Sequence, residues 1–162
     1  MVYTRMDSPV GELLIVSDGT CLTGLYIQIS PEKTWRQEEI PMFGTVKAWL
    51  TDYFDGKRPD VSCLPLKLSG TSFQQRVWAY LLTIPYGRTC TYGEIGREMA
   101  VQMGKKAMSA QAVGQAVGHN PISIIVPCHR CVGAGGRMTG YAWGIEKKEW
   151  LLAHEARTKE ET

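Results

Sequence analysis

No stretch of this sequence approaches the ~20 consecutive apolar residues of a membrane-spanning helix, so no membrane association is expected. The leading residues, Met1 to Asp7, lack the apolar core of a secretory signal, which points to an intracellular protein. The five cysteines (Cys21, Cys63, Cys90, Cys128 and Cys131) are odd in number and scattered, arguing against a disulfide framework and for reduced thiols. No internal repeat, low-complexity tract or heptad series is visible. Charge of one sign is scarce as well, with a net +2 over 162 residues. It is unevenly spread: residues 1–68 hold 7 basic and 9 acidic side chains, residues 69–162 hold 11 and 7. A mildly basic second half suits a module that faces nucleic acid. What remains is globular material, 44% hydrophobic and 21% charged, enough for one domain or a domain with a small partner.

Along the chain the first part reads as strands. Glu12–Ser17 is a short apolar run and Thr20–Ile29 alternates, with Gly11 and Asp18-Gly19 as turns. Residues 42–55 change period: Val46, Leu50, Tyr53 and Phe54 fall at helical spacing and Gly56 follows as a stop. Residues 56–72 look like a connection, with a possible strand at Cys63–Leu68, and the boundary between units is placed near residue 69. The second part reads as mostly helical. Ser72 is expected to cap a helix through about Thr83, with Phe73, Val77, Tyr80 and Leu81 as its buried stripe. Thr91 caps a helix over Tyr92–Met99 with Glu94 in a box-like position, and Ser109 caps Ala110–Val117. Two short helices in succession are compatible with a helix-turn-helix or with a plain helical hairpin. The second is built of small residues, and Gly114 costs it roughly 1 kcal/mol against alanine, so another backbone or a DNA groove is expected to come close.

Chemistry concentrates after Ile122–Val126, an apolar strand candidate ended by Pro127. Cys128, His129 and Arg130 follow, and a nearby imidazole and guanidinium would lower the thiol pKa from its free value of about 8.5. A base histidine needs a carboxylate to fix its tautomer, and Glu155, near the end of a helix over Lys147–Ala156, is the best candidate. Cys128 and Cys131 also form a C-x-x-C pair. A structural zinc would need a second ligand pair, and Cys63, Cys90, His119 and His154 supply none at ligand spacing. A thioredoxin-like pair would open a helix, whereas Gly133, Gly135 and Gly136 make this a loop. No metal and no cofactor is expected.

The run from Ser72 to Glu155 resembles the O6-alkylguanine-DNA alkyltransferases, also called methylated-DNA–protein-cysteine methyltransferases. The likeness rests on Ile125-Val126-Pro127-Cys128-His129-Arg130 and on an ordered series around it. That series is Phe73–Trp78, Thr91–Ile95, Ala112-Val113-Gly114, Gly118–Pro121, Gly140-Tyr141 and Lys148–Glu155. It implies an α+β fold: a small N-terminal domain with a β-sheet and a helix over 1–68, then a mostly helical, winged helix-turn-helix-like domain over 69–162 carrying the active-site cysteine. It implies a monomer that binds double-stranded DNA containing O6-alkylguanine through the minor groove, cytoplasmic and, in a bacterium, nucleoid-associated. O4-alkylthymine is the alternative lesion. Cys128 would accept the alkyl group once and keep it. His129 would act as base through a water, oriented by Glu155; Asn120 would brace the turn and Tyr141 would protonate the leaving guanine. Tyr92 would crowd a phosphate as the nucleotide turns out. Ser109, Ala110, Gln111, Ala112 and Gly114 would lie in the groove, with Arg130 among the DNA contacts. Backbone groups near Cys128, Cys131 and Ala142 would line the base pocket, with Trp143 as a further pocket residue.

Two positions depart from the family pattern. Gln111 stands where the family commonly carries an intercalating arginine, so slower or weaker base flipping is expected. Trp143 stands where many relatives have glycine and is expected to narrow the pocket against large alkyl groups. Three rival readings remain distinguishable. An alkyltransferase-like binding module would lack the cysteine, a helix-turn-helix regulator would carry a further regulatory domain, and a cysteine hydrolase would need an oxyanion hole.

Overall fold

The computed structural model describes residues 1–159, so the last three residues assigned to the second unit lie outside the described residues. The fold is α+β. Strands β1 (Val2–Met6), β2 (Leu13–Ser17), β3 (Leu22–Ile27) and β4 (Arg36–Gln37) form a sheet in the order β3-β2-β1-β4. The three long strands pair antiparallel and β4 joins β1 in parallel. Strands β2 and β3 answer to the apolar run and the alternation in the sequence. Strand β1 was not anticipated, although Val2 and Thr4 are buried on one face while Arg5 is exposed. Helix α1 (Pro41–Phe54) starts with proline at its first position and buries Phe43, Val46, Trp49, Leu50 and Tyr53 at helical spacing.

The strand expected at Cys63–Leu68 does not form. Asp60 caps a 3-10 turn over Val61–Cys63, Pro65 has no N–H to donate, and only Leu66 bridges to Leu22. Helix α2 (Ser72–Leu81) is capped by Thr71 rather than Ser72. The Thr71 hydroxyl accepts from Gln74 N at 3.1 Å, and the Gln74 amide oxygen accepts from Thr71 N at 2.9 Å. The indole of Trp78 is buried in the α2 stripe and donates to Ala116 O at 2.8 Å, tying α2 to α4.

Strand β5 (Cys90–Thr91) leads into α3 (Tyr92–Met103), capped by Thr91 as expected. The helix runs four residues beyond the expected end, stopping where Gly104 adopts φ 64°. Helix α4 (Ala110–Gly118) is capped by Ser109, whose hydroxyl accepts from Ala112 N at 3.0 Å. Of the two partners expected beside the small-residue helix, a neighbouring backbone is not within 4 Å of a Cβ at Gly114, which would rest against the Tyr92 ring at an ordinary 3.9 Å. A close backbone approach occurs at Gly96 of α3, where a Cβ would meet Met108 O at 3.3 Å. Strand β6 (Cys131–Val132) pairs in parallel with β5, and α5 (Ile145–Thr158) closes the described chain. Among the described residues no helix is long and apolar enough to cross a membrane.

Candidate active site

The segment Ile122–Val126 is apolar but is not a strand. It is a run of turns, with Ile124 buried at φ 72°, a left-handed conformation that costs a β-branched residue on the order of 1–3 kcal/mol. Neighbours hold it there. Leu25 of β3 donates its N–H to Pro121 O at 2.9 Å and accepts from Ser123 N at 3.1 Å, so the sheet edge grips the start of the loop. The Asn120 side chain spans the loop from inside, donating to Val126 O at 2.8 Å and accepting from Ile122 N at 3.0 Å. The loop delivers Cys128 at the head of a 3-10 turn over Cys128–Arg130.

Cys128 is 6% exposed and forms part of the wall of a cavity of about 230 Å³ between α4 and the 140–142 segment. Tyr92, Gly114, Asn120, Ser123, Tyr141 and Ala142 also line it. Tyr141 Oη is buried, makes no hydrogen bond among the described residues, and faces the Cys128 thiol and the Ser123 hydroxyl. Burial keeps its phenol protonated well above the usual range, which leaves a hydroxyl donor aimed at the sulfur. Tyr92 Oη accepts from the Thr139 hydroxyl at 3.0 Å, and the ammonium of buried Lys148 sits 3.4 Å from the Thr139 and Gly140 carbonyls, with its Nζ 6.0 Å from the Tyr92 ring centroid.

His129 and Glu155 meet on the other side of the turn. The fully buried imidazole donates from Nε2 to Glu155 Oε2 at 2.6 Å, which fixes the tautomer and leaves Nδ1 buried and without a partner among the described residues. Glu155 also accepts from Arg130 (Nε at 2.8 Å, Nη2 at 3.1 Å), Tyr53 Oη at 2.7 Å and Gly87 N at 3.0 Å. Burial alone would raise this carboxyl, but His129 and Arg130 together hold it well below the usual carboxylate range. Burial pushes His129 below its ordinary 6.5 despite the Glu155 charge, so the ring is neutral at pH 7.

Both shifts make the fold acid-labile in the same sense. Unfolded chains bind a proton at histidine below pH 6.5 while the buried ring resists it, and unfolded glutamate binds one below about 4.5 while the folded carboxylate does not. The thermal midpoint is therefore expected to fall as pH drops from 6.5, and more steeply below 4.5. A midpoint flat from pH 7 to 4, measured by circular dichroism, would contradict this.

The Cys128 electrostatics differ from expectation. Burial pushes the thiol above its ordinary range, so it is protonated at rest. The Arg130 guanidinium is turned away from it: Nε and Nη2 lie on Glu155 and Nη1 donates to Ile84 O at 2.7 Å, with the side chain 11% exposed. That commitment uses three of the five guanidinium N–H groups inside the protein, which leaves two for the expected DNA contact. What favours a Cys128 thiolate is the Asn120 amide, then the Lys148 cation, the residue's own N–H and Tyr141.

Two of the expected pocket residues lie elsewhere. The Cys131 thiol pairs with Cys90 across β5–β6 and is fully buried, and it does not line the cavity. Trp143 leans edge-on against Tyr26 at 6.1 Å and donates to the Ser123 hydroxyl at 2.6 Å, so its bulk supports the wall from outside rather than filling the pocket. On α4, Ser109, Ala110 and Gln111 are exposed and Ala112 and Gly114 half-buried, as a face open to a partner. Sequence reasoning missed Tyr53, Ser123 and Lys148. Tyr53 was legible only as one more member of an apolar stripe, and a lysine in a C-terminal helix carries no sign that it is buried.

Comparison with known proteins places these features. Residues 72–157 match the family model described as the 6-O-methylguanine DNA methyltransferase DNA binding domain, and residues 1–68 match the ribonuclease-like domain of the same family. The chain belongs to the 6-O-methylguanine DNA methyltransferase family. The methylated-DNA–protein-cysteine methyltransferase of Haemophilus influenzae is 42% identical over 159 residues, covering 96% of this chain and 86% of that protein. Its counterpart in Mycobacterium tuberculosis is 46% identical over 157 residues, covering 94% and 91%. The crystal structure of M. tuberculosis OGT in complex with DNA superposes with a TM-score of 0.84 at 42% identity, over 98% of this chain and 94% of that one. In this member of the methyltransferase family both matched segments reach the site, the first through Leu25 and Tyr53 and the second through Cys128, His129 and Glu155.

Proposed function

We propose that this protein repairs alkylated DNA by direct reversal, moving the alkyl group from guanine O6 to Cys128, one transfer per molecule. The observation that carries the reading is the cavity itself. A buried thiol stands in its wall with Asn120 and Tyr141 beside it, and a neutral histidine tied to a carboxylate lies behind the same turn.

The alkyl carbon of O6-alkylguanine is out of reach inside a stacked duplex, so the nucleotide must be turned out, at a cost of a few kcal/mol. The small-residue face of α4, with Ser109, Ala110, Gln111, Ala112 and Gly114, fits the narrow minor groove, and Tyr92 at the cavity rim faces the extruded nucleotide's backbone. Gln111 lacks the charge and stacking plane of arginine, which sets a slower flip. Weak net charge implies modest, salt-sensitive affinity. The chain acts as a monomer of two units, 1–68 and 69–162, with the site at their joint.

In the transfer, the Cys128 proton passes to His129 Nδ1 through one water, and Glu155 stabilises the imidazolium from Nε2. The sulfur attacks the alkyl carbon in line, the carbon–O6 bond breaks, and guanine takes up a proton from Tyr141, which recovers one from His129. The net thiol proton ends on guanine. The product is a thioether, which no group in the site can cleave, so the protein is spent.

The test is intact mass after mixing with an O6-methylguanine duplex oligonucleotide. The expected result is a gain of one methylene per chain at Cys128, absent in Cys128→Ala. Unchanged mass at stoichiometric DNA would overturn transfer in favour of lesion recognition alone.

A further inference from the structure

The Tyr53 ring is locked on every side. It stacks on Trp49 at 5.9 Å with an interplanar angle of 5°, meets Phe54 and Tyr86 edge-on at 5.2 and 5.8 Å, and lies tilted on His154 at 5.4 Å. Its own carbonyl accepts from His154 Nε2 at 2.8 Å. A phenol held this way presents its hydroxyl in one place, 2.7 Å from Glu155 Oε2, the oxygen that also accepts from His129 at 2.6 Å. The contact spans 102 positions in sequence and joins the sheet-bearing segment to the helix that carries Glu155. Packing alone would be served equally by phenylalanine. The hydroxyl is an addition, and a buried hydroxyl is retained at a cost unless it is bonded.

We propose that Tyr53 is a positioning residue for alkyl transfer: its hydroxyl fixes Glu155 Oε2 as the partner of His129 and limits how strongly that oxygen attracts the ring proton. The proposal rests on the reading that His129 serves transfer to Cys128. The charged and titratable groups around the pair are few. Arg130 and Tyr53 face Glu155, with Tyr86 close by, and Arg130 and Lys148 add positive charge near His129. Each donor on Oε2 draws off electron density that would otherwise favour imidazolium. With the hydroxyl present, burial and shared donors keep His129 neutral and able to accept a proton. Without it, the carboxylate becomes the stronger base, imidazolium is favoured, and the ring is protonated at higher pH.

The experiment uses full-length Tyr53→Phe, which keeps the ring, with Tyr86→Phe as control, since the Tyr86 hydroxyl meets Thr158 rather than Glu155. His129 is titrated by NMR through its ring nitrogens, and the second-order methyl-transfer rate is followed against pH. In Tyr53→Phe the His129 midpoint and the acid limb of the rate profile are expected to move up together by roughly half to one pH unit. Tyr86→Phe is expected to move neither. A purely structural role would lower the urea midpoint and leave the titration in place, so an unmoved His129 in a protein that transfers methyl normally overturns the inference alone. Absence of transfer by the unaltered protein would sink the proposed function, and this inference with it.

Discussion

Glu155→Ala is expected to cost the fold roughly 3–5 kcal/mol and to slow alkyl transfer at least ~100-fold in the fraction that stays folded. The carboxylate is the common acceptor for His129, Arg130, Tyr53 and Gly87 N. Truncating it leaves a guanidinium at 11% exposure with the Ile84 carbonyl and the Tyr86 ring face, and three further donors (His129 Nε2, Tyr53 Oη and Gly87 N) without their acceptor. An uncompensated buried cation dominates that cost, because the remaining neutral donors lose about 1–3 kcal/mol at most each. Against a total stability of about 5–15 kcal/mol, the loss is visible as a large drop in urea midpoint. The rate falls for a separate reason: His129 loses the group that fixes its tautomer and balances its positive charge. Glu155→Gln keeps the shape but not the charge, and is expected to recover part of the stability and little of the rate. A urea midpoint within error of the unaltered protein would show that the carboxylate is not the hub its contacts indicate.

The second large effect is expected at Asn120. Its amide satisfies Val126 O and Ile122 N while facing the Cys128 sulfur, so one side chain holds the loop and supports the thiolate. Asn120→Ala strands both backbone groups, at about 2–3 kcal/mol, and removes a donor to developing sulfur charge, for roughly 100-fold in rate. Asn120→Asp separates the two roles. It preserves the acceptor for Ile122 N but sets a carboxylate oxygen against the Val126 carbonyl and the sulfur. Aspartate is expected to restore less rate than stability. Equal recovery of both, in transfer kinetics and urea titration, would mean that Asn120 acts on the loop alone.

Much of this architecture could be read in advance, and what could not has physical causes. The period change at residues 42–55 and the caps at Thr91 and Ser109 are local signals, and α1, α3 and α4 form where they indicate. The apolar run Ile122–Val126 misled because strand and turn share the same composition; only the backbone angle at Ile124 separates them. The helix cap shifted by one because Thr71 and Ser72 are both good caps, each with a glutamine three residues on (Gln74 and Gln75), so local sequence does not separate them and the folded chain uses Thr71 with Gln74. The pairing of His129 with Glu155 was within reach of spacing and resemblance. The state of the thiol was not, since Glu155 and the Ile84 carbonyl hold the Arg130 guanidinium away from Cys128, and burial, which no residue list reveals, sets the proton. Tyr53 was out of reach for the same reason: its partner lies on a helix 102 positions later.

The grip of Leu25 on Pro121 and Ser123 has a bearing on solubility. Strand β3 is the outermost strand of its sheet, and an outer strand with unpaired amides invites pairing with another chain. Here Leu22 is satisfied by Pro65 and Lys67, and Leu25 by the loop that leads to the nucleophile, so the rim is sealed by the chain's own backbone. Substitutions that loosen that loop therefore uncover a sticky rim as well as disturbing the thiol. Such variants are expected to lose soluble yield along with reactivity, so their transfer rates belong to the fraction that stays in solution.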